Sequence, residues 1–266
     1  LARPQLPQKD VPIKREGIDI AVILDVSMSM LSVDFEPNRL EVARKTIQDF
    51  IENRPTDRIA LIIFAGTAYT RVPLTLDHDI LRESLKQVKT ESVNTDGTAI
   101  GMAVSVGVNR LKKSDSPSKI IILVTDGDNN AGTINPDTAS ELAKEMGIKI
   151  YTIGIGKKGG SPMYQMGYDG VKRQVINRYT GQPAYWEEPD EDTLRQMAAS
   201  TGGEYFRATD NRALKQIYDN IAKMEKQDIK VKSYNRHIDK FKRFLWAGAL
   251  LVLLAFAAET VKYLRV

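Results

Sequence analysis

The sequence predicts an α/β fold: a doubly wound, mostly parallel sheet with a hairpin insertion, followed by a C-terminal transmembrane helix. Three observations lead there. Nearly continuous apolar runs at residues 18–24, 59–64 and 120–124, and the segment 148–155, have the length of strands. Strands apolar on both faces belong to sheets that are covered on both sides. Helical periodicity fills the gaps between them, and strands that alternate with helices pair in parallel. The third observation is residues 244–258, fifteen residues without a charge.

The elements follow in chain order. Residues 18–24 form the first strand. Asn38 and Glu41 have capping-box spacing and open a helix to about residue 53. Leu40, Ala43, Ile47, Phe50 and Ile51 share its apolar face. Residues 59–64 are the next strand and 69–74 its neighbour, joined tightly at Gly66. Helices are expected over 77–88 and 99–112, the second rich in small residues and suited to close packing on a sheet. Strand 120–124, helix 136–146 and strand 148–155 come next, then helices 191–200 and 213–226 around a last strand, 204–208. Between residues 156 and 189 the pattern breaks, with turn signals at Gly159-Gly160, Asp169-Gly170 and 177–181. Residues 171–176 and 182–186 are expected to pair as a hairpin. This insertion, 157–189, carries Tyr164, Tyr168, Tyr179, Tyr185 and Trp186. They either offer a surface to a partner or cover one flank of the domain.

Asp25-Val26-Ser27-Met28-Ser29 closes the first apolar run, so one carboxylate and two hydroxyls leave the carboxyl end of a buried strand together. Thr98 stands just before a helix, and Asp126 follows the run 120–124. Open α/β sheets bind ligands beyond the carboxyl ends of their strands, at the topological switch point. The strands ending in Asp25 and Thr125 both reach that crevice. Mg²⁺ takes oxygen donors in near-octahedral array and keeps some waters. Ser27, Ser29 and Thr98 supply neutral hydroxyls, and Asp25 and Asp126 supply charge directly or through water. Two carboxylates balance a divalent ion and no more, which leaves an electrophilic position for an acidic group from another molecule. The competing explanation is local: Ser27 and Ser29 cap the following loop, and Asp126-Gly127 is an ordinary turn.

This constellation resembles the metal-ion-dependent adhesion site of von Willebrand factor A domains. That pattern is Asp-x-Ser-x-Ser, then a Thr, then an Asp, and Asp25, Ser27, Ser29, Thr98 and Asp126 match it at every position. The resemblance implies a Rossmann-like von Willebrand A domain over residues 17–226 that binds Mg²⁺ (or Mn²⁺). An acidic residue of a protein ligand would complete the coordination. The whole chain resembles the membrane-anchored, BatA/BatB-like proteins of the Bacteroides aerotolerance (Bat) group. Residues 1–5, Gly17-Ile18-Asp19-Ile20, the metal motif, 35–39, 96–101, 151–156 and 202–210 carry that likeness. It implies a bacterial inner-membrane protein working with other Bat-type membrane proteins and a MoxR-type AAA+ ATPase, in an envelope complex linked to stress tolerance. It also implies hydrophobic helices ahead of Leu1, which makes residues 1–16 a linker that follows a membrane helix.

Composition sets the remaining bounds. A chain of 266 residues accommodates one such domain and its tails. With no cysteine there is neither a disulfide nor a thiolate metal site. The formal charge of +4 is unevenly placed: residues 223–243 carry eight basic and three acidic side chains, a net +5, leaving −1 elsewhere. A near-neutral domain argues against nucleic acid as a partner. The basic juxtamembrane segment, 227–243, is either a solvated linker or a contact with membrane lipid headgroups. Fifteen apolar residues are short of the ~20 that span a bilayer. Extension to residue 264 reaches that length, with Lys262 snorkelling and Trp246 and Tyr263 at the interfaces. The charges flanking this helix favour a cytoplasmic domain, but upstream helices usually dominate orientation, so the domain is expected outside the cytoplasm. Turn-rich Ser161 offers a place for a labelling cysteine to test this.

Two function classes follow. The leading one is a non-enzymatic, Mg²⁺-dependent protein-binding module tethered to the membrane. The alternative is a metal-dependent phosphoester hydrolase using Asp25. The sequence disfavours the second. A haloacid-dehalogenase-like phosphatase would carry a second Asp where Ser27 stands, and His78 and His237 lie far from the motif. No glycine-rich phosphate loop follows the first strand, and serine nucleophile motifs are absent.

Overall fold

The apolar runs become the strands of one six-stranded sheet in the computed structural model, which describes residues 5–7, 17–116, 118–157, 159–166, 172–186, 188–234, 237–239 and 246. The strands are β1 (Asp19–Asp25), β2 (Arg58–Phe64), β3 (Ala68–Thr75), β4 (Lys119–Thr125), β5 (Lys149–Ile155) and β6 (Tyr205–Ala208). Their spatial order is β6-β5-β4-β1-β2-β3. Neighbours pair in parallel except β3, which lies antiparallel on β2 at the edge. Every residue of β1 is buried, which is why its sequence does not alternate. On the edge strand β3 only Val72 is buried, and Pro73 is tolerated where the pairing with β2 slips register.

Helices α1 (Arg39–Glu52), α2 (His78–Lys86), α3 (Ile100–Leu111), α4 (Pro136–Glu145), α5 (Glu191–Thr201) and α6 (Asn211–Tyr234) cover the sheet. Ala103 and Val108 of α3, Ala143 of α4 and Leu194 of α5 join Ile23, Ile62 and Ile121 in one core. The small residues of α3 act as expected: a Cβ on Gly107 would stand 3.0 Å from Ile23 Cδ1. Phe50 of α1 meets Tyr218 of α6 with ring centroids 4.9 Å apart. Starts are set by side-chain caps, Asn38 accepting from Glu41 N at 2.8 Å and Asp77 from Ile80 N at 3.1 Å. The carboxylate of Glu41 pairs with Arg44. Near the other end of the sheet, Glu225 of α6 is buried and accepts hydrogen bonds from Ser118 Oγ (2.6 Å), Tyr151 OH (2.7 Å) and Lys149 Nζ (2.9 Å).

The insertion is more elaborate than one hairpin. The expected pairing is present only at its turn end, with Ala184 N donating to Val175 O at 2.8 Å and Asn177 N to Gln182 O at 2.9 Å, because the outer residues of both segments take other partners. Tyr164–Met166 pairs with Lys172–Gln174, and Ser161–Pro162 with Tyr185–Trp186.

Contacts divide the chain into two units, Arg15–Lys226 and a second made of Leu1–Lys14 with Gln227–Val266. In the second, Gln5–Pro7 pairs antiparallel with His237–Asp239, where the sequence suggested only linker. The last helix, expected to stop near residue 226, runs to Tyr234. Among the described residues no helix is long and apolar enough to cross a membrane. The span expected at 244–264 lies, Trp246 apart, outside the described residues.

Candidate metal centre

The strand order reverses between β1 and β4, so their carboxyl ends frame the crevice in which such sheets bind ligands. Asp25 is the last residue of β1 and wholly buried. Its Oδ1 accepts from Ser27 N at 2.8 Å and its Oδ2 from Thr125 Oγ1 at 2.6 Å. The first bond holds the chain in a tight turn after the strand, and the second ties β1 to β4. Ser27 and Ser29 start the short 3₁₀ turn Met28–Leu31, their hydroxyls 2.9 Å apart. Ser29 Oγ in turn donates to Asp126 Oδ1 at 2.7 Å.

Thr98 arrives from a third segment. Gly97 precedes it with φ +98°, and a Cβ there would strike Ala131 and the Asn130 side chain at 2.8–2.9 Å, so glycine is required. Asn130 Oδ1 accepts from Thr98 N at 2.8 Å, and Asn130 N donates back to Thr98 O. The Thr98 hydroxyl lies against Gly127. Ser27, Ser29, Thr98 and Asp126 line one open cavity of about 830 Å³, with Asp25 directly beneath.

The donor set fits a hard divalent cation. Oxygens held about 2.1 Å from an octahedral ion stand about 3 Å from one another. The Ser27–Ser29 and Ser29–Asp126 spacings, 2.9 and 2.7 Å, are close to that edge. Charge points the same way. Burial, reinforced by the Asp126 carboxylate, pushes Asp25 up to about 7 against the hydrogen bonds from Thr125 and Ser27. Burial also raises Asp126, in spite of the guanidinium beside it. One buried carboxylate on the cavity wall and another directly beneath it are short of positive charge, and a cation supplies it. Among the described residues no cluster of three or more His, Cys, Asp or Glu side chains could hold a metal, so any cation here depends on hydroxyls for much of its shell.

Sequence reasoning missed the guanidinium. Arg39 is 1 % exposed. One Nη donates to Asp126 Oδ2 at 2.7 Å. Nε and the other Nη clasp Asp34 at 2.8 and 2.7 Å. A signal existed: Arg39 opens α1, and a cation at a helix N-terminus opposes the helix dipole unless something else holds it. Asp34 also accepts from Lys157 N at 3.3 Å, which ties this network to the base of the insertion. The aromatics of the insertion divide. Tyr185 and Trp186 line the cavity, whereas Tyr179 is 98 % exposed and Tyr168 lies outside the described residues.

Comparison with known proteins places the fold. A family model for the von Willebrand factor type A domain matches residues 19–220. A Borreliella burgdorferi protein of unassigned function is 30 % identical over 257 residues, covering 96 % of this chain and 73 % of its own. A UPF0353 protein of Mycolicibacterium paratuberculosis is 30 % identical over 224 residues, and the match spans 63 % of that protein's length. Among solved structures, BatB from Bacteroides thetaiotaomicron aligns with TM-score 0.68 and 30 % identity over 79 % of this chain and all of its own. An aerotolerance-related membrane protein from Bacteroides fragilis aligns with TM-score 0.66 and 27 % identity over 78 % of this chain and all of its own. A mussel byssus protein, proximal thread matrix protein 1 with a zinc-occupied MIDAS motif, shares the fold at 20 % identity and TM-score 0.59, over 79 % of this chain and 46 % of its own.

Proposed function

The chain belongs to the von Willebrand factor type A domain family, similar within it to Bat-type aerotolerance proteins, and on that footing we propose that it is a non-enzymatic, cation-dependent protein-binding module. Asp25, Ser27, Ser29, Thr98 and Asp126 hold Mg²⁺ or Mn²⁺, and an acidic residue of a partner protein takes the open position. The observation that carries this reading is the oxygen ladder Ser27–Ser29–Asp126, spaced at 2.9 and 2.7 Å on the floor of an open cavity. The ion supplies an electrophilic centre for a carboxylate. The chain's own part is to set the hydroxyls, with Asp25 fixing Ser27 through its backbone N–H and Arg39 fixing Asp126.

The same module is tethered to a bacterial inner membrane by residues 244–264, with its domain outside the cytoplasm. There it works with other Bat-type membrane proteins and a MoxR-type ATPase in a complex linked to stress tolerance. Support for the membrane and stress-tolerance parts of this reading comes from the Bacteroides fragilis neighbour, an aerotolerance-related membrane protein. The hydrolase alternative finds no support at Asp25, whose two carboxylate oxygens accept from Ser27 N and Thr125 Oγ1, so that it serves the cation through water and is not free to attack a substrate.

Calorimetric titration of the 266-residue chain with Mn²⁺ tests the reading. One weak site is expected in the parent and none in Asp25→Ala, with the far-ultraviolet spectrum unchanged. Equal Mn²⁺ uptake by both proteins would overturn the assignment.

A further inference from the structure

We infer that the insertion makes this site selective for a protein segment in which one carboxylate is flanked by bulky apolar side chains. The inference rests on the cation-dependent reading above and adds the chemistry of the partner. A carboxylate alone is far too small to fill a cavity of about 830 Å³. Much of the remaining wall is apolar. Met163, Tyr185 and Trp186 supply it from the insertion, and Met28 and Val93 from the domain. Tyr185 is 52 % and Met28 54 % exposed, so these side chains offer uncovered apolar surface beside the hydroxyls. Apolar wall with a few convergent polar groups is the usual make-up of a specific binding site.

The wall is fixed relative to the metal-binding turn. Trp186 pairs with Ser161, whose hydroxyl is hydrogen-bonded to Ser32 immediately after that turn. Met163 N donates to Ala184 O at 2.9 Å, which sets Met163 beside the same strand. Gly160 allows the close approach: its φ is +78°, and a Cβ there would lie 2.5 Å from the Trp186 carbonyl.

Charge limits the segment to one acid. Glu91, Asp96 and Asp128 line the cavity, and no lysine or arginine does so among the described residues. Among the described residues the cation is therefore the one strong positive charge a ligand meets there. A second carboxylate would face the like charge of Glu91 and Asp96. A single Asp or Glu between apolar residues satisfies both the cation and the wall.

Fluorescence anisotropy with labelled pentapeptides on the full chain tests this. In Mg²⁺, Gly-Leu-Asp-Phe-Gly should bind at least tenfold tighter than Gly-Gly-Asp-Gly-Gly, and Gly-Asp-Asp-Asp-Gly should gain nothing over the latter. Trp186→Ala and, separately, Tyr185→Ala should erase the preference while Mn²⁺ uptake stays at the parent level. Preference unmoved by both variants, tighter binding of the triacid, or displacement of the peptide by equimolar octanoate would each overturn the inference. The last outcome would indicate a fatty carboxylate instead. Those results leave Mn²⁺ uptake intact, whereas loss of uptake in the parent would sink the cation reading itself.

Discussion

Replacing Arg39 with methionine removes one guanidinium and keeps most of its apolar stem. The structure fixes what is lost: three hydrogen bonds of 2.7–2.8 Å to two carboxylates. The Arg39 side chain is 1 % exposed, Asp126 0 % and Asp34 5 %. Breaking a buried ion pair from one side costs about 3–5 kcal/mol, because the remaining charge is stranded. The two pairs share one cation, and Asp34 can regain some water, so the figure is not doubled. For a domain of this size about 2–4 °C of Tm accompanies each kcal/mol, giving a drop of about 6–20 °C. The contrast is Lys86→Ala, which breaks the exposed Lys86–Glu83 pair and should cost at most about 1 kcal/mol. The second readout has the opposite sign. Without the guanidinium the site is one charge more negative, so Mn²⁺ should bind at least tenfold more tightly to Arg39→Met. Thermal melts by circular dichroism without metal, followed by calorimetry, give both numbers. A melting temperature within about 2 °C of the parent would refute the argument, since no stranded buried charge is that cheap.

Two further outcomes are expected. A complex captured from native membranes should dissociate in chelator and persist in moderate salt, because a metal–carboxylate bond is screened less than surface charge pairs; dissociation by salt alone, measured by pull-down, would assign binding to the basic segment. For topology, Ser161 is a poor labelling position, being 1 % exposed and bonded to Ser32, whereas Tyr179 is 98 % exposed. Tyr179→Cys should react with a membrane-impermeant maleimide in intact spheroplasts and Val266→Cys should not, and the reverse pattern would place the domain in the cytoplasm.

Local pattern was enough for most of the fold. The strand expected over residues 120–124 is Lys119–Thr125, and the helix expected over 136–146 is Pro136–Glu145. Capping at Asn38, Asp77 and Asn135 comes from neighbours within three residues, so it is visible in sequence. The antiparallel direction of β3 follows from the tight joint at Gly66, because parallel neighbours need a crossover of a dozen or more residues. The length of α6 was missed, since its polar last turns carry little apolar signal.

What the sequence determined by itself is the order of elements and the five oxygen-bearing residues proposed for the site. Both depend on spacing along the chain, and spacing is what hydrophobic period and motif record. Tertiary structure alone decided how those residues meet. Ser29 and Asp126 are 97 positions apart and share a 2.7 Å hydrogen bond, and Arg39 reaches the same carboxylate across 87 positions. It also decided that Tyr185 and Trp186 border this cavity while Tyr179 faces solvent. A residue's type limits which partners it can accept, but burial of a charge or an aromatic ring is a property of the elements packed around it. Those are brought together only when the strands pair and the helices pack on the sheet.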